Sequence, residues 1–207
     1  MQKTPNKMKY ALAALILTLV GISGVAQAAP KSMVIGDVVN PPIGVMAFCM
    51  QNADQCATTA QDAVTQTLTA QAAYEMNRIN RGVNLKIKYV EDQAKYGRND
   101  FWTYPSDREG DCEDIALEKR KMLIRLGWNP ASLVFAAART ETGEGHLVLV
   151  AITDRGDFVL DNRRDEVPLW SDVEYTWIKR SKPGTLLAWN WIDKNSGIAS
   201  LSAVGAE

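Results

Sequence analysis

Three residue types stand in an order that can run thiol chemistry. Cys112 lies in Gly110-Asp111-Cys112-Glu113-Asp114, the chain's single histidine is His146, and Asp161 follows in Leu160-Asp161-Asn162. A cysteine becomes a useful nucleophile when a helix N-terminus and a nearby imidazole favour its thiolate. His146 can then take the thiol proton and later return it to a leaving amine. Asp161 can fix the imidazole's tautomer and orientation. Taken singly, each residue has a plainer role: a packed thiol, a structural strand histidine, a turn-starting aspartate. Their joint order is what points to an enzyme.

The same pentapeptide raises a difficulty. Asp111, Glu113 and Asp114 surround the thiol with negative charge, which opposes ionisation. A capping role for one carboxylate and neutralisation by Arg108 or Lys119 would relieve this. A bound divalent cation would relieve it more fully, since clustered hard carboxylates suit calcium. The spacing is not that of an EF-hand loop, and a solvated acidic helix start remains the alternative. Zinc is disfavoured, because no His/Cys ligand spacing occurs. An oxyanion needs donors; the Cys112 backbone N–H is one candidate and the Trp102 indole another, although core packing is the plainer reading of Trp102.

These residues need elements to position them. Residues 111–126 form the clearest helical pattern, with Asp111 as N-cap, Gly127 as the stop, and every periodic position except Lys119 suited to a core. Strands are expected at 132–139, 146–153 and 157–162, separated by turns and forming an antiparallel meander. Two more are expected at 174–180 and 186–191. A helix is expected at 60–81, ended by Gly82, followed by a short strand at 85–90 or a continuation of the helix. Residues 30–54 read as an extended, loop-rich arm, and the tail after Asn195 as frayed. The fold class is α+β, with N-terminal helices and the cysteine helix packed on an antiparallel sheet, a papain-like layout.

The chain has 207 residues, 46% of them hydrophobic, and a formal net charge of −1. That composition fits a globular domain and gives no electrostatic footprint for nucleic acid or an anionic membrane surface. Lys3, Lys7 and Lys9, the apolar run from Tyr10 to Val25, and Ala26-Gln27-Ala28 have the form of a cleaved signal peptide over 1–28 rather than a retained anchor. A single domain over 29–207, about 180 residues, is then expected in the periplasm or outside the cell, with no further span. In that oxidising setting Cys49 and Cys56 are expected to pair, leaving Cys112 as the free thiol.

The pentapeptide, with Lys119-Arg120, Leu123 and Leu126-Gly127, then Gly145-His146-Leu147-Val148-Leu149 and Leu160-Asp161-Asn162, resembles the bacterial transglutaminase-like cysteine proteinases. Phe48-Cys49, Cys56, and Asp100 with Trp102 extend the resemblance over roughly 41–191. The resemblance is to the LapG-type periplasmic branch. It implies Cys112 as nucleophile, His146 as base, Asp161 as orienting group, and calcium held by Asp111, Glu113 and Asp114. It also implies cleavage of a protein substrate such as a surface adhesin, under an inner-membrane cyclic-di-GMP receptor. Transglutaminase-type acyl transfer to an amine, and a non-catalytic binding domain of the same fold, remain alternatives.

Overall fold

The computed structural model describes Met1 and residues 31–56 and 65–193. The expected signal peptide, the first residues of the expected 60–81 helix and the tail lie outside the described residues.

Six strands form one antiparallel sheet: β1 (Ile35–Val39), β4 (Leu133–Arg139), β5 (Gly145–Thr153), β6 (Gly156–Leu160), β7 (Thr176–Ser181) and β8 (Trp189–Ile192). Their order is β1-β8-β7-β4-β5-β6. The expected meander is therefore β4-β5-β6, with β7 crossing over to pair with the far side of β4. Near-continuous apolar runs such as Leu133-Val134-Phe135-Ala136 follow from burial on both faces. One face packs Phe135, Leu147, Leu149 and Ala151 against the helices; the other packs Val134, Val148 and Val150 against Trp170 and Trp177.

Two helices cover the first face. Helix α5 (Cys112–Arg125) packs on β5, and α3 (Ala70–Lys86) packs on α5. Helix α3 starts later than its sequence pattern indicated. Thr69 caps it by accepting from the Ala72 N–H at 3.0 Å, while Gln66 pairs with Thr153 and the Leu68 N–H donates to Asp154 at 2.9 Å. The segment before Thr69 is thus tied to the sheet. Gly82 does not end the helix: the buried stripe Ala72, Met76, Ile79 and Val83 continues past it. A glycine on the solvent side lowers helix propensity without breaking the packed face. The strand expected at 85–90 shrinks to β2 (Lys88–Tyr89), parallel to β3 (Glu109–Gly110).

The N-terminal arm is more ordered than its prolines and glycines indicated. It holds β1, α1 (Ile43–Gln51) and α2 (Ala53–Cys56). Pro42 occupies the N-cap position of α1, where a missing N–H leaves no bond unmade. The Gly44 N–H donates to Asp100 at 2.7 Å, and a Cβ there would collide with Asp100 and Trp102. Cys49 and Cys56 are disulfide-bonded and join α1 to α2, while Cys112 is free.

Candidate active site

Cys112 is the first residue of α5, where the helix leaves four backbone N–H groups without intrahelical partners. Ile115, Ala116 and Leu123 anchor that helix in the core. The half-buried sulfur donates to Glu113 Oε2 at 2.9 Å and meets the Leu147 backbone N–H from β5. Burial, then the Glu113 charge, raises the thiol well above its ordinary range, and the Leu147 N–H opposes the rise.

The β5–β6 hairpin sets Leu160, the last residue of β6, opposite Leu149 in the middle of β5, so the chain that follows runs on toward the first residues of β5. His146 and Asp161 therefore meet, with His146 Nε2 lying 2.8 Å from Asp161 Oδ1. The Arg163 N–H donates to the same oxygen at 3.0 Å, and the Tyr175 hydroxyl donates to Oδ2 at 2.7 Å. Arg164 Nε faces Oδ2 at 3.4 Å. Burial alone would raise the Asp161 carboxyl, but the His146 bond, the His146 charge and the Arg163 and Tyr175 donors hold it at about 2. An ionised Asp161 can only accept, so Nε2 is the ring nitrogen that donates to it, and Nδ1 is the one the carboxylate does not engage. Tyr175 also stands edge-on to the imidazole, with centroids 5.6 Å apart. Cys112 and His146 line one cleft of about 580 Å³, whose walls include Tyr89, Glu144 and Arg163.

Beneath the thiol lies a second constellation. Ligand atoms of Asp111, Cys112 and Glu113 lie within 4.8 Å of one another, and so do those of Asp92, Asp111 and Asp114. Asp92, the first residue of α4 (Asp92–Tyr96), is buried and accepts from the Phe101 N–H. Asp114 accepts from the Thr103 N–H at 2.7 Å. Asp92 Oδ1, Asp111 Oδ1 and Asp114 Oδ2 are buried without a hydrogen-bond partner. Burial and mutual repulsion push Asp111 and Asp114 up to about 8 and raise Asp92 and Glu113 as well. Orphaned carboxylate oxygens converging in one place are the donor set of a hard cation. Gly110 is shaped to this site, since a Cβ there would come within 2.7 Å of the Asp114 side chain.

Several residues take roles other than those expected. Asp111 occupies the N-cap position of α5 but makes no capping bond; its carboxylate belongs to the acidic cluster. The Trp102 indole N–H, considered as an oxyanion donor, is committed to Asp100 at 2.7 Å, and the ring packs edge-on against Phe135. Lys119 does not face solvent or neutralise the acids. It is fully buried, donates to Asn80 Oδ1 at 2.7 Å, and is lowered by desolvation to about 7. Arg108 lines a separate groove, and Lys95 is the cation whose charge reaches Asp92 and Asp114.

Asp92, Tyr175, Asn80 and Asn84 escaped sequence reasoning. Asn80 donates to the Arg164 and Asp165 carbonyls at 2.8 and 3.0 Å, and Asn84 to those of Asp161 and Arg164 at 3.0 and 2.9 Å. Together they clamp the turn that carries Asp161. The signal available for the two asparagines was their i, i+4 spacing on one helix face; Asp92 and Tyr175 carried none.

A profile of the bacterial transglutaminase-like cysteine proteinases (BTLCP) matches residues 35–197, and the chain belongs to that family. It is a transglutaminase-like cysteine peptidase. Calcium-bound Legionella pneumophila LapG is a similar solved structure, with TM-score 0.50 and 23% identity over 63% of this chain and 74% of that one. EGTA-treated LapG gives 0.48 and 22% over 60% and 69%. A further LapG structure gives 0.46 and 23% over 52% of this chain and 62% of that one, less than two thirds of its length. The family and the calcium-bound match agree on the fold, which is transglutaminase-like. A comparison with curated proteins finds no match. Among the described residues no helix is long and apolar enough to cross a membrane.

Proposed function

We propose that the chain is an exported, calcium-supported cysteine endopeptidase using Cys112, His146 and Asp161. The observation that carries this reading is the His146–Asp161 bond of 2.8 Å in the cleft that Cys112 shares with His146. His146 Nδ1 takes the Cys112 proton, and the thiolate adds to the scissile carbonyl. The imidazolium, stabilised by ionised Asp161, then protonates the leaving amine as the tetrahedral intermediate collapses to a thioester. Water, deprotonated by the same imidazole, releases the acyl group. The Cys112 backbone N–H at the start of α5 is the donor we assign to the oxyanion.

Asp92, Asp111, Glu113 and Asp114 are the residues that would hold calcium. Three orphaned oxygens support the fit, as does the calcium-bound state of the LapG neighbour. Bound there, calcium supplies positive charge that offsets the carboxylates beside the thiol. Export is proposed from the 1–28 segment, with one mature domain over 29–207 in the periplasm or outside the cell. The family resemblance supports a protein substrate, with a surface adhesin and an inner-membrane cyclic-di-GMP receptor as the partners it implies.

The test is incubation with a peptide mixture in calcium buffer, with and without excess primary amine, read by mass spectrometry. New peptide N-termini that vanish in Cys112→Ala support hydrolysis. Amine adducts in place of new termini would support acyl transfer instead. No change in either condition would support a binding domain.

A further inference from the structure

A second cavity is lined by residues other than those of the catalytic cleft. It is a groove of about 500 Å³ between α3, the 104–108 loop and the middle of α5. Its charged lining is one-sided: Arg78, Lys86, Arg108 and Lys121 against Glu118 alone. That is unusual in a chain of formal net charge −1. Lys121 pairs with Glu118 and lies 4.4 Å from the Tyr104 ring centre. Arg78 rests on the Tyr74 ring and is near Glu75. Among the described residues Lys86 and Arg108 have no ion-pair partner. The lining also carries the apolar side chains of Ile79, Ile87 and Met122.

Two local backbone choices converge on this groove. Gly82 sits inside α3, where glycine is the poorest helix former after proline. A Cβ there would meet nothing within 4 Å, so no close packing requires the missing side chain. It does line the groove, and its bare Cα keeps that wall open. Arg108 has φ of 66°, a left-handed conformation that side chains other than glycine and asparagine rarely adopt. Its backbone carbonyl is held by the Lys88 N–H at 2.9 Å, and its side chain lines the groove.

We propose that this groove docks an acidic stretch of polypeptide, carboxylates against Lys86 and Arg108 and apolar side chains over Gly82 and Met122. The mixture of cations with an apolar wall fits alternating acidic and apolar residues better than a bare anion. The site is separate from the catalytic cleft, with no shared lining residue. It does not depend on the peptidase chemistry.

The probe is a short fluorescent peptide alternating glutamate and leucine, followed by anisotropy with full-length Cys112→Ser protein so that cleavage does not consume it. EDTA is included, so that no cation bridges the peptide to the acidic cluster. Lys86→Glu with Arg108→Glu is expected to weaken binding about tenfold, since two attractions become repulsions. Gly82→Leu fills the groove and is expected to weaken binding similarly while leaving the melting temperature unchanged or raised. A glutamine-for-glutamate peptide should bind about tenfold more weakly, with a flatter salt dependence. Equal binding to parent and variants would overturn the proposal. So would groove-dependent binding of phosphatidylserine vesicles by a protein that ignores the peptide.

Discussion

Tyr175→Phe isolates the support of the orienting carboxylate. Asp161 is held at about 2, against an ordinary value of 3.8, which corresponds to about 2.5 kcal/mol of preference for the ionised form. Among the described residues Tyr175 is the one hydroxyl donor to Oδ2, at 2.7 Å. Without it that oxygen keeps Arg164 Nε at 3.4 Å, a buried contact lacking hydrogen-bond geometry. A hydrogen bond to a charged group contributes about 1.5–3 kcal/mol. Closer approach of Arg164 offsets part of the loss, so a net destabilisation of about 2 kcal/mol is expected. For a chain of this length that lowers Tm by about 4–8 °C. A looser Asp161 also aligns His146 less well, and kcat/KM should fall about tenfold. The assay is a double-mutant cycle with Asp161→Asn, reading both thermal melts and peptide hydrolysis. Tyr175→Phe should have little further effect in the Asp161→Asn background. A stability change under about 0.5 kcal/mol in the parent, or an equal loss in both backgrounds, would show that Tyr175 does not support Asp161.

Calcium should stabilise the parent by about 2.7 kcal/mol at roughly a hundredfold excess over Kd, and Asp92→Asn should remove most of that shift; a melt indifferent to calcium and to chelators would contradict the site. Asp161 predicts an acid limb: its folded pKa is depressed, so its stabilisation is full above about pH 5 and is lost as pH falls through 4 toward 2. Asp161→Asn should flatten that limb in pH-dependent denaturation, and an unchanged limb would count against the assignment. Lys119 works in the opposite sense. Its folded value of about 7 lies below the ordinary 10.5, so the native state releases its proton first and stability rises between about pH 7 and 10. Lys119→Met should remove that rise, and a slope unchanged by the substitution would show that the buried amine does not titrate there.

Sequence periodicity carried the cysteine helix and the β4-β5-β6 meander, because both are packed amphipathic or apolar runs. It overstated Gly82 as a stop and the Pro41-Pro42 arm as loop. A glycine on a solvent face and a proline at a helix start leave the buried stripe intact, and local propensity does not see that stripe's partners. In the site, Cys112, His146 and Asp161 were legible as residue types in order, and the acids beside the thiol were adjacent in sequence. Asp92 was not legible. It comes from a polar turn-rich stretch and reaches Asp111 and Asp114 only because β2 and β3 draw α4 onto the start of α5. Lys119 was misread for a related reason: a lysine counts as a surface residue until a partner such as Asn80 is known to wait for it. Tyr175, far along the chain, became part of the site through the β7 crossover.

In the proposed reaction Cys112 carries the acyl group with His146 as its base. The most direct measurement is intact-mass analysis after brief mixing with an activated peptide ester in calcium buffer, with peptide mapping of the adduct. One thioester on Cys112 is expected, formed rapidly in the parent and at least about a hundredfold more slowly in His146→Ala. No adduct on Cys112, or one that forms as fast without His146, would contradict it.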